Sequence, residues 1–377
     1  MRKSQLIFCS IAVISTLLMP QVLNPVAADI QVGPITLPGN LLPVTIPGTV
    51  SPIVPYNPNL GIVPIALPPI DLYSIKQVAS GLVASDPLNN ETETQQQLQA
   101  NPGYWKYGGD APNENAPYAF FRDTQGLHIG VQSTGNGQYA GYYAVTPNTN
   151  AKLFHAIIST PISALPTTAL DFYENGMYVQ TTASGPVNYV TCTSDTSYAG
   201  TVWAVVSVTG TVKQGTQFNV LWVDTSANQP LTRDCAIITN GNNYLKVYLD
   251  GNMVYENSTM NLQMTEPFNA FLEPQTSYPG QLLNGTFKDY YATTDETVTV
   301  TNNPALATTV DIVDPSGNVL ASAPVNSGTA TLDIGQYDMP LDAYIKIYGT
   351  GGVQIASTSN PVNIFGGDQY SVSLLGL

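Results

Sequence analysis

Between Asn101 and about Ala292 the apolar residues fall in short runs, most of them alternating with polar positions: FFRDTQGLHIGV, GQYAGYYAV, AKLFHAIIS, GTVWAVVSV, QFNVLWVD, NYLKVYLDGNMVYE and GTFKDYYA. Alternation with a period of two buries one face of a strand, and clusters of Gly, Asn, Asp and Pro close each run. No run keeps a helical period. The pattern predicts one all-β domain over 101–292, with the strand spacing of a sandwich or jelly roll. From 293 to 377 the runs are shorter still (ETVTVTN, TTVDIVDPSGNVLASAPV, DAYIKIYG, DQYSVSLL), which predicts a second, smaller β-sandwich of about seven strands.

Ahead of these domains the chain behaves differently. Pro34, Pro38, Pro43, Pro47 and Pro52 recur through Asp29 to Leu72, so this stretch is predicted to be extended and unable to supply a central strand. Its Ile, Leu and Val content is high for a solvated spacer, and self-association through 29–72 is one expectation. Residues 85–100 turn abruptly polar, with a short helix expected over Thr92 to Ala100. Residues 29–100 are therefore read as a Pro-rich stalk and polar linker.

Within the larger domain, ALDFYENGMYVQTT places Asn175-Gly176 between two aromatic and β-branched runs, the signal for a type I′ hairpin turn. A turn there pairs Tyr173 with Tyr178 and Asp171 with Gln180. Leu170, Phe172, Met177 and Val179 then face the core, while Asp171, Tyr173, Tyr178 and Gln180 form a polar and aromatic patch. Trp203 extends that patch if it faces the same way. A second hairpin is predicted where Leu245, Val247 and Leu249 alternate with Tyr244, Lys246 and Tyr248 before Asp250-Gly251-Asn252.

The run NYLKVYLDGNMVYEN resembles the DG hairpin of concanavalin A-like and laminin G-like jelly rolls, and FKDYYA resembles their closing strand. The resemblance covers roughly half of the chain. It implies a jelly-roll sandwich that binds glycans on a concave sheet or on loops, with hydrolysis in some members and calcium in many. The 293–377 segment resembles an immunoglobulin-like module without its cysteine pair.

Composition narrows the partners and the location. Only 10% of residues are charged, against about 25% in an average domain, and the net charge of −15 reflects scarce Lys and Arg. Such a chain has few cations with which to neutralise phosphates, so no nucleic acid partner is expected. Met1-Arg2-Lys3, the apolar Leu6 to Met19 and Val26-Ala27-Ala28 read as a signal peptide over 1–28, cleaved near Ala28 for an extracellular or cell-surface protein. In that compartment Cys192 and Cys235 are expected to form a disulfide worth about 2–4 kcal/mol. Asn90, Asn257 and Asn284 are glycosylation candidates.

The chemistry is sparse. Glycan hydrolysis needs two carboxyl groups about 5–9.5 Å apart. Laminarinase-like families of this fold supply them from one strand as E-x-D-x-x-E. Asp171 and Glu174 imitate that motif, but an odd spacing sends them to opposite faces. A glutamic-peptidase-like Gln and Glu pair is a further route, with Gln180 opposite Asp171. His128 and His155 sit among bulky apolar neighbours and read as structural, so no cofactor is expected beyond possible calcium. The expected function is a secreted glycan-binding or adhesion protein with a glycan or cell-envelope partner. The alternative is a structural envelope or filament subunit, with a glycoside hydrolase or glutamic-peptidase-like enzyme ranked below both.

Overall fold

The computed structural model describes residues 72–109, 119–132, 140–160, 165–166, 171–181, 188–197, 199–211, 215–226, 229–277, 280 and 282–375. The Asp29 to Leu72 stalk, save its last residue, and the signal peptide lie outside the described residues, as does Leu170. What is described is all-β, as the alternation predicts, apart from the α-helix Gln95–Ala100 and a single 3₁₀ turn. Thr94 caps that helix in a capping box with Gln97, which is why so short and polar a segment holds helical form.

Two sheets make the larger sandwich. One has seven strands in the order Gly215–Asp224, Gly200–Thr211, Tyr189–Ser197, Tyr173–Thr181, Phe268–Thr276, Ala140–Val145, Lys106–Gly109. The other runs Asn252–Asn257, Leu245–Leu249, Thr232–Thr239, Leu153–Ser159, Leu282–Thr293, Gly126–Gln132, Phe120–Asp123, with Leu82–Asp86 also paired to Leu282–Thr293. Trp105, Trp203, Tyr173, Phe154, Phe268 and Phe287 fill the space between them.

The DG hairpin forms as read, with Leu245–Leu249 against Asn252–Asn257 and positive φ at Asp250 (50°) and Gly251 (71°). Leu245, Val247 and Leu249 enter the core of the larger sandwich, whereas Tyr248 points the other way.

The second sandwich combines a four-stranded sheet (Tyr73–Ala79, Gln369–Leu374, Thr297–Thr301, Ala330–Asp333) with a five-stranded one built on Ala307–Val313 and Leu341–Gly349. Its core continues into the outer face of the eight-stranded sheet through Leu153, Ala236, Ile238, Tyr248 and Tyr291. Consecutive apolar residues in CAIIT and AKLFHAIIS follow from this, because those strands are buried on both faces. Tyr73–Ala79 and Leu82–Asp86, assigned from sequence to the stalk and linker, are strands: the first pairs with Gln369–Leu374, the second with Leu282–Thr293.

The Asn175-Gly176 hairpin does not form. Tyr173–Thr181 is one unbroken strand, paired along its length with Tyr189–Ser197 on one side and Phe268–Thr276 on the other. Asn175 is buried, and its Nδ2 donates across the sandwich to the Ser159 carbonyl (2.9 Å) and Thr160 Oγ1 (3.1 Å). Gly176 lies against Thr193, where an added Cβ would stand 2.8 Å from the Cys192 carbonyl oxygen. The pair that spells a turn locally is used here for a cross-sheet polar bridge and a close strand approach.

Candidate functional site

With no turn at 175–176, the strand alternates without interruption, and the predicted patch divides between its two faces. Tyr173 joins Met177 and Val179 in the core at 1% exposure. Trp203 is fully buried there too, its Nε1 donating to the Pro230 carbonyl at 2.8 Å. Asp171 precedes the strand and is buried. Neither Asp171, Tyr173 nor Trp203 presents a surface to a ligand. Tyr178 and Gln180 do share the outer face, and the residue that joins them there is Glu174.

Around Glu174 the register gathers a set of groups the sequence did not. Glu174 stands directly opposite Asp195 on one neighbouring strand and Gln275 on the other. Glu273 stands opposite Gly176, Phe271 opposite Tyr178, and Tyr189 opposite Gln180. Side chains of directly opposed residues leave the sheet on the same face with Cβ atoms about 4.5–5.5 Å apart. The result is a line of carboxyl groups, Asp195, Glu174 and Glu273, flanked by Tyr178 and Tyr189, whose rings meet edge to face at 5.5 Å. Tyr143 packs edge to face on Phe271 at 5.1 Å beside them.

Electrostatics separates these carboxyls from ordinary surface acids. Burial, and then the charge of Asp195, push the Glu174 pKa up to about 7, against hydrogen bonds from Tyr178 and Thr193 that pull it down. Burial raises Asp195 to about 6. Both residues are of intermediate burial, set among the buried Tyr178, Thr193 and Gln275. Oδ1 of Asp195 is buried with no hydrogen-bond partner among the described residues. An unsatisfied carboxylate oxygen beside a carboxyl that titrates near neutrality is costly to keep for stability alone, and is the arrangement found where protons are moved.

The glutamine that faces a carboxylate is Gln275, opposite Glu174, in place of the expected Gln180 opposite Asp171; Gln180 faces Asn269 and Tyr189. Glu174 and Asp195 come from adjacent strands, so the site is not the single-strand E-x-D-x-x-E pattern. The signal present in the sequence was YVTCTSD, whose even spacing from Tyr189 to Asp195 puts Tyr189, Thr191, Thr193 and Asp195 on one face.

Cys192 and Cys235 are both buried free thiols in the structure, in place of the expected disulfide. They face each other across the sandwich, and Cys235 lies within hydrogen-bond reach of Cys192, which with burial raises its pKa. Among the glycosylation candidates Asn90 is exposed and Asn257 partly so, while Oδ1 of Asn284 is buried. His128 stacks on Phe121 at 4.4 Å and its Nε2 bonds Asp123 Oδ1 at 2.9 Å. A shallow depression beside the helix, lined by Glu93, Gln95, Arg122 and Asp123, lies away from the carboxyl line.

No protein-family model matches the chain, and no curated protein matches it. Several solved structures do. An endo-acting O-glycanase from the human gut microbiota, involved in mucin breakdown, is similar with 10% identity and a TM-score of 0.41, over 58% of this chain and 92% of that one. β-Agarase A from Zobellia galactanivorans is similar with 13% identity and a TM-score of 0.39, over 62% of this chain and 97% of that one. A Bacteroides ovatus family 16 glycoside hydrolase, solved with a mixed-linkage glucan product, has 10% identity and a TM-score of 0.39, over 56% and 100%. At these identities and TM-scores the likeness transfers no residue roles. These three similar structures are glycan-cleaving enzymes, which runs against the expected reading of a non-catalytic binding or adhesion protein.

Proposed function

We propose that the chain is a glycan hydrolase in which Glu174 is the general acid and Asp195 the partner carboxylate. The observation that carries this reading is the direct cross-strand opposition of the two carboxyls on an aromatic sheet face, with Glu174 raised to about 7 and Asp195 to about 6. At a pH between those values Glu174 holds its proton while Asp195 is ionised. That is the division of labour glycoside hydrolysis requires.

In this mechanism Glu174 protonates the glycosidic oxygen as the bond to the anomeric carbon breaks, and Asp195 attacks that carbon to form a glycosyl ester. Glu174, now ionised, takes a proton from the water that cleaves the ester. Directly opposed strand positions favour the retaining geometry, in which the carboxyls stand about 5–5.5 Å apart. Tyr189 and the Tyr143–Phe271 pair, all partly exposed, offer flat faces for the C–H surfaces of sugar rings, while the buried Tyr178 bonds Glu174 from beneath them. Export to the cell exterior through residues 1–28, an immunoglobulin-like character for the second sandwich, and glycosylation at Asn90 belong to the same reading.

The test is release of reducing ends from a polysaccharide panel that includes agarose, mixed-linkage glucan, laminarin and mucin O-glycans. Glu174→Gln and Asp195→Asn serve as folded controls. Activity lost in both variants is the expected outcome. A folded wild-type chain that cleaves nothing on the panel, or cleavage that survives both substitutions, would defeat the proposal.

A further inference from the structure

On the opposite side of the larger sandwich, where its eight-stranded sheet meets the second sandwich, three side chains converge. His155 Nε2 lies 2.7 Å from Asp234 Oδ1 and 3.3 Å from Asp338 Oδ1. One donor atom from each residue falls within 4.8 Å of the others. His155 and Asp234 come from paired strands of the larger sandwich, whereas Asp338 comes from the segment between strands Ala330–Asp333 and Leu341–Gly349 of the second.

The imidazole is fixed from behind. Its Nδ1 stands 2.8 Å from the Asp289 carbonyl oxygen, which only accepts, so Nδ1 carries the hydrogen and Nε2 is the atom turned toward the carboxylates. The Tyr291 ring stacks on the imidazole at 4.2 Å, and the Tyr291 hydroxyl accepts from the Met339 N–H at 3.3 Å, holding the Asp338 segment in place. A carbonyl or carboxylate behind a histidine is how proteins orient a metal-bound imidazole.

From this geometry we infer that His155, Asp234 and Asp338 bind a divalent transition-metal cation of the zinc class, joining the two sandwiches. A neutral imidazole would aim a lone pair at two acceptor-only groups, so the centre requires positive charge. Asp234 and Asp338 are also within hydrogen-bond reach of each other. Without a cation, neutrality takes two added protons, one on Nε2 and one between the carboxyls. One divalent ion with two carboxylates and a neutral imidazole balances the charge by itself.

Distances agree with that occupant. Tetrahedral bonds of about 2.0–2.2 Å separate donors by about 3.4 Å, which Asp338 already meets and Asp234 reaches by a small outward movement. Asp338 is 74% exposed on its side chain, leaving the fourth position open to water. An imidazole donor favours zinc-class ions over calcium, which takes six to eight oxygens. The site is independent of Glu174 and Asp195.

The test uses the tag-free chain, stripped with a strong chelator and titrated with Zn²⁺ by calorimetry and with Co²⁺ by visible absorption. One equivalent should bind, with Co²⁺ d–d bands of low-coordinate geometry, and should raise the melting temperature. Asp338→Asn, an exposed change that leaves folding intact, should weaken binding at least tenfold and abolish the thermal shift; Asp234→Asn should do the same. Absence of stoichiometric Zn²⁺ or Co²⁺ binding overturns the inference. So does binding unchanged in Asp338→Asn, or Ca²⁺ bound in preference to both.

Discussion

Tyr178 donates its phenolic hydrogen to Oε1 of Glu174 at 2.9 Å, reaching over Gly176, which separates them on the same face of the strand. That bond favours the ionised carboxyl, whereas the charge of Asp195 disfavours it. The two neighbours therefore pull the Glu174 pKa in opposite directions. In Tyr178→Phe the alkaline limb of the pH–rate profile should move above its wild-type position near 7. In Asp195→Asn, where no charge faces Glu174 and no turnover is expected, the Glu174 carboxyl itself, followed by carbon NMR, should titrate below its wild-type position. Glu174→Gln should reduce kcat by about 10²–10⁴-fold, the usual contribution of a general acid. An alkaline limb that stays in place in Tyr178→Phe would remove Glu174 from the acid role.

The same carboxyl makes stability depend on pH. Glu174 has a folded pKa of about 7, above its ordinary value of 4.5. A raised carboxyl pKa means that stability is complete below the unfolded value and is lost as pH rises through the folded one. Glu174→Gln, which cannot ionise, should therefore be more stable than wild type at pH 8 and nearly equal to it at pH 4. Each pKa unit is worth about 1.4 kcal/mol, and the partial exposure of the carboxyl reduces the gain at pH 8 to about 1–2 kcal/mol. Urea denaturation at the two pH values measures it.

Fold class was legible because it rests on alternation, and alternation is a local property. Leu245, Val247 and Leu249 landed in the core as their spacing implied, and the DG turn formed where it was read. The site was not legible, because it depends on which strands become neighbours. Glu174 and Asp195 are meaningless as a pair until Tyr173–Thr181 lies beside Tyr189–Ser197 in one particular register. The turn expected at Asn175-Gly176 fails for the same reason. A turn preference of about a kilocalorie was outweighed by three-stranded pairing and by the amide of Asn175 bridging to Ser159 and Thr160. A turn at 175–176 would put Tyr173 on the outer face and Glu174 out of the patch, the reverse of where the unbroken strand places them. The partners of His155 are equally remote in sequence, with Asp234 79 positions away and Asp338 in another sandwich.

Tyr173 offers a direct check on the corrected register. Its hydroxyl is buried with no hydrogen-bond partner among the described residues, and its ring is packed in the core. An unsatisfied buried hydroxyl costs about 1–3 kcal/mol, so Tyr173→Phe should leave stability unchanged or raise it. Tyr173→Ala should lower it by about 3–5 kcal/mol through the cavity left behind. Trp203→Ala should cost as much, with the added loss of its bond to Pro230. A Tyr173→Phe chain that folds normally but loses glycan affinity would return Tyr173 to the ligand face and overturn this register.

Gly176 tests whether the gap between Glu174 and Tyr178 is needed. A Cβ at this position would lie 2.8 Å from the Cys192 carbonyl oxygen and 2.8 Å from Thr193 Cβ, both on the paired strand. Neither is the free end of a flexible side chain, so the strands must separate or the new group must tilt toward Glu174. Gly176→Ala should therefore destabilise the chain by about 1–3 kcal/mol, the ordinary cost of overpacking. Gly176→Val should cost more and should also crowd the Tyr178 hydroxyl away from Oε1. The activity of the folded fraction of Gly176→Ala should then shift its alkaline limb upward, as in Tyr178→Phe, because the same stabilising bond is weakened. Denaturation midpoints and pH–rate profiles of the two variants, measured side by side, separate a strand clash from a site effect: a clash alone lowers the midpoint and leaves the limb where it was.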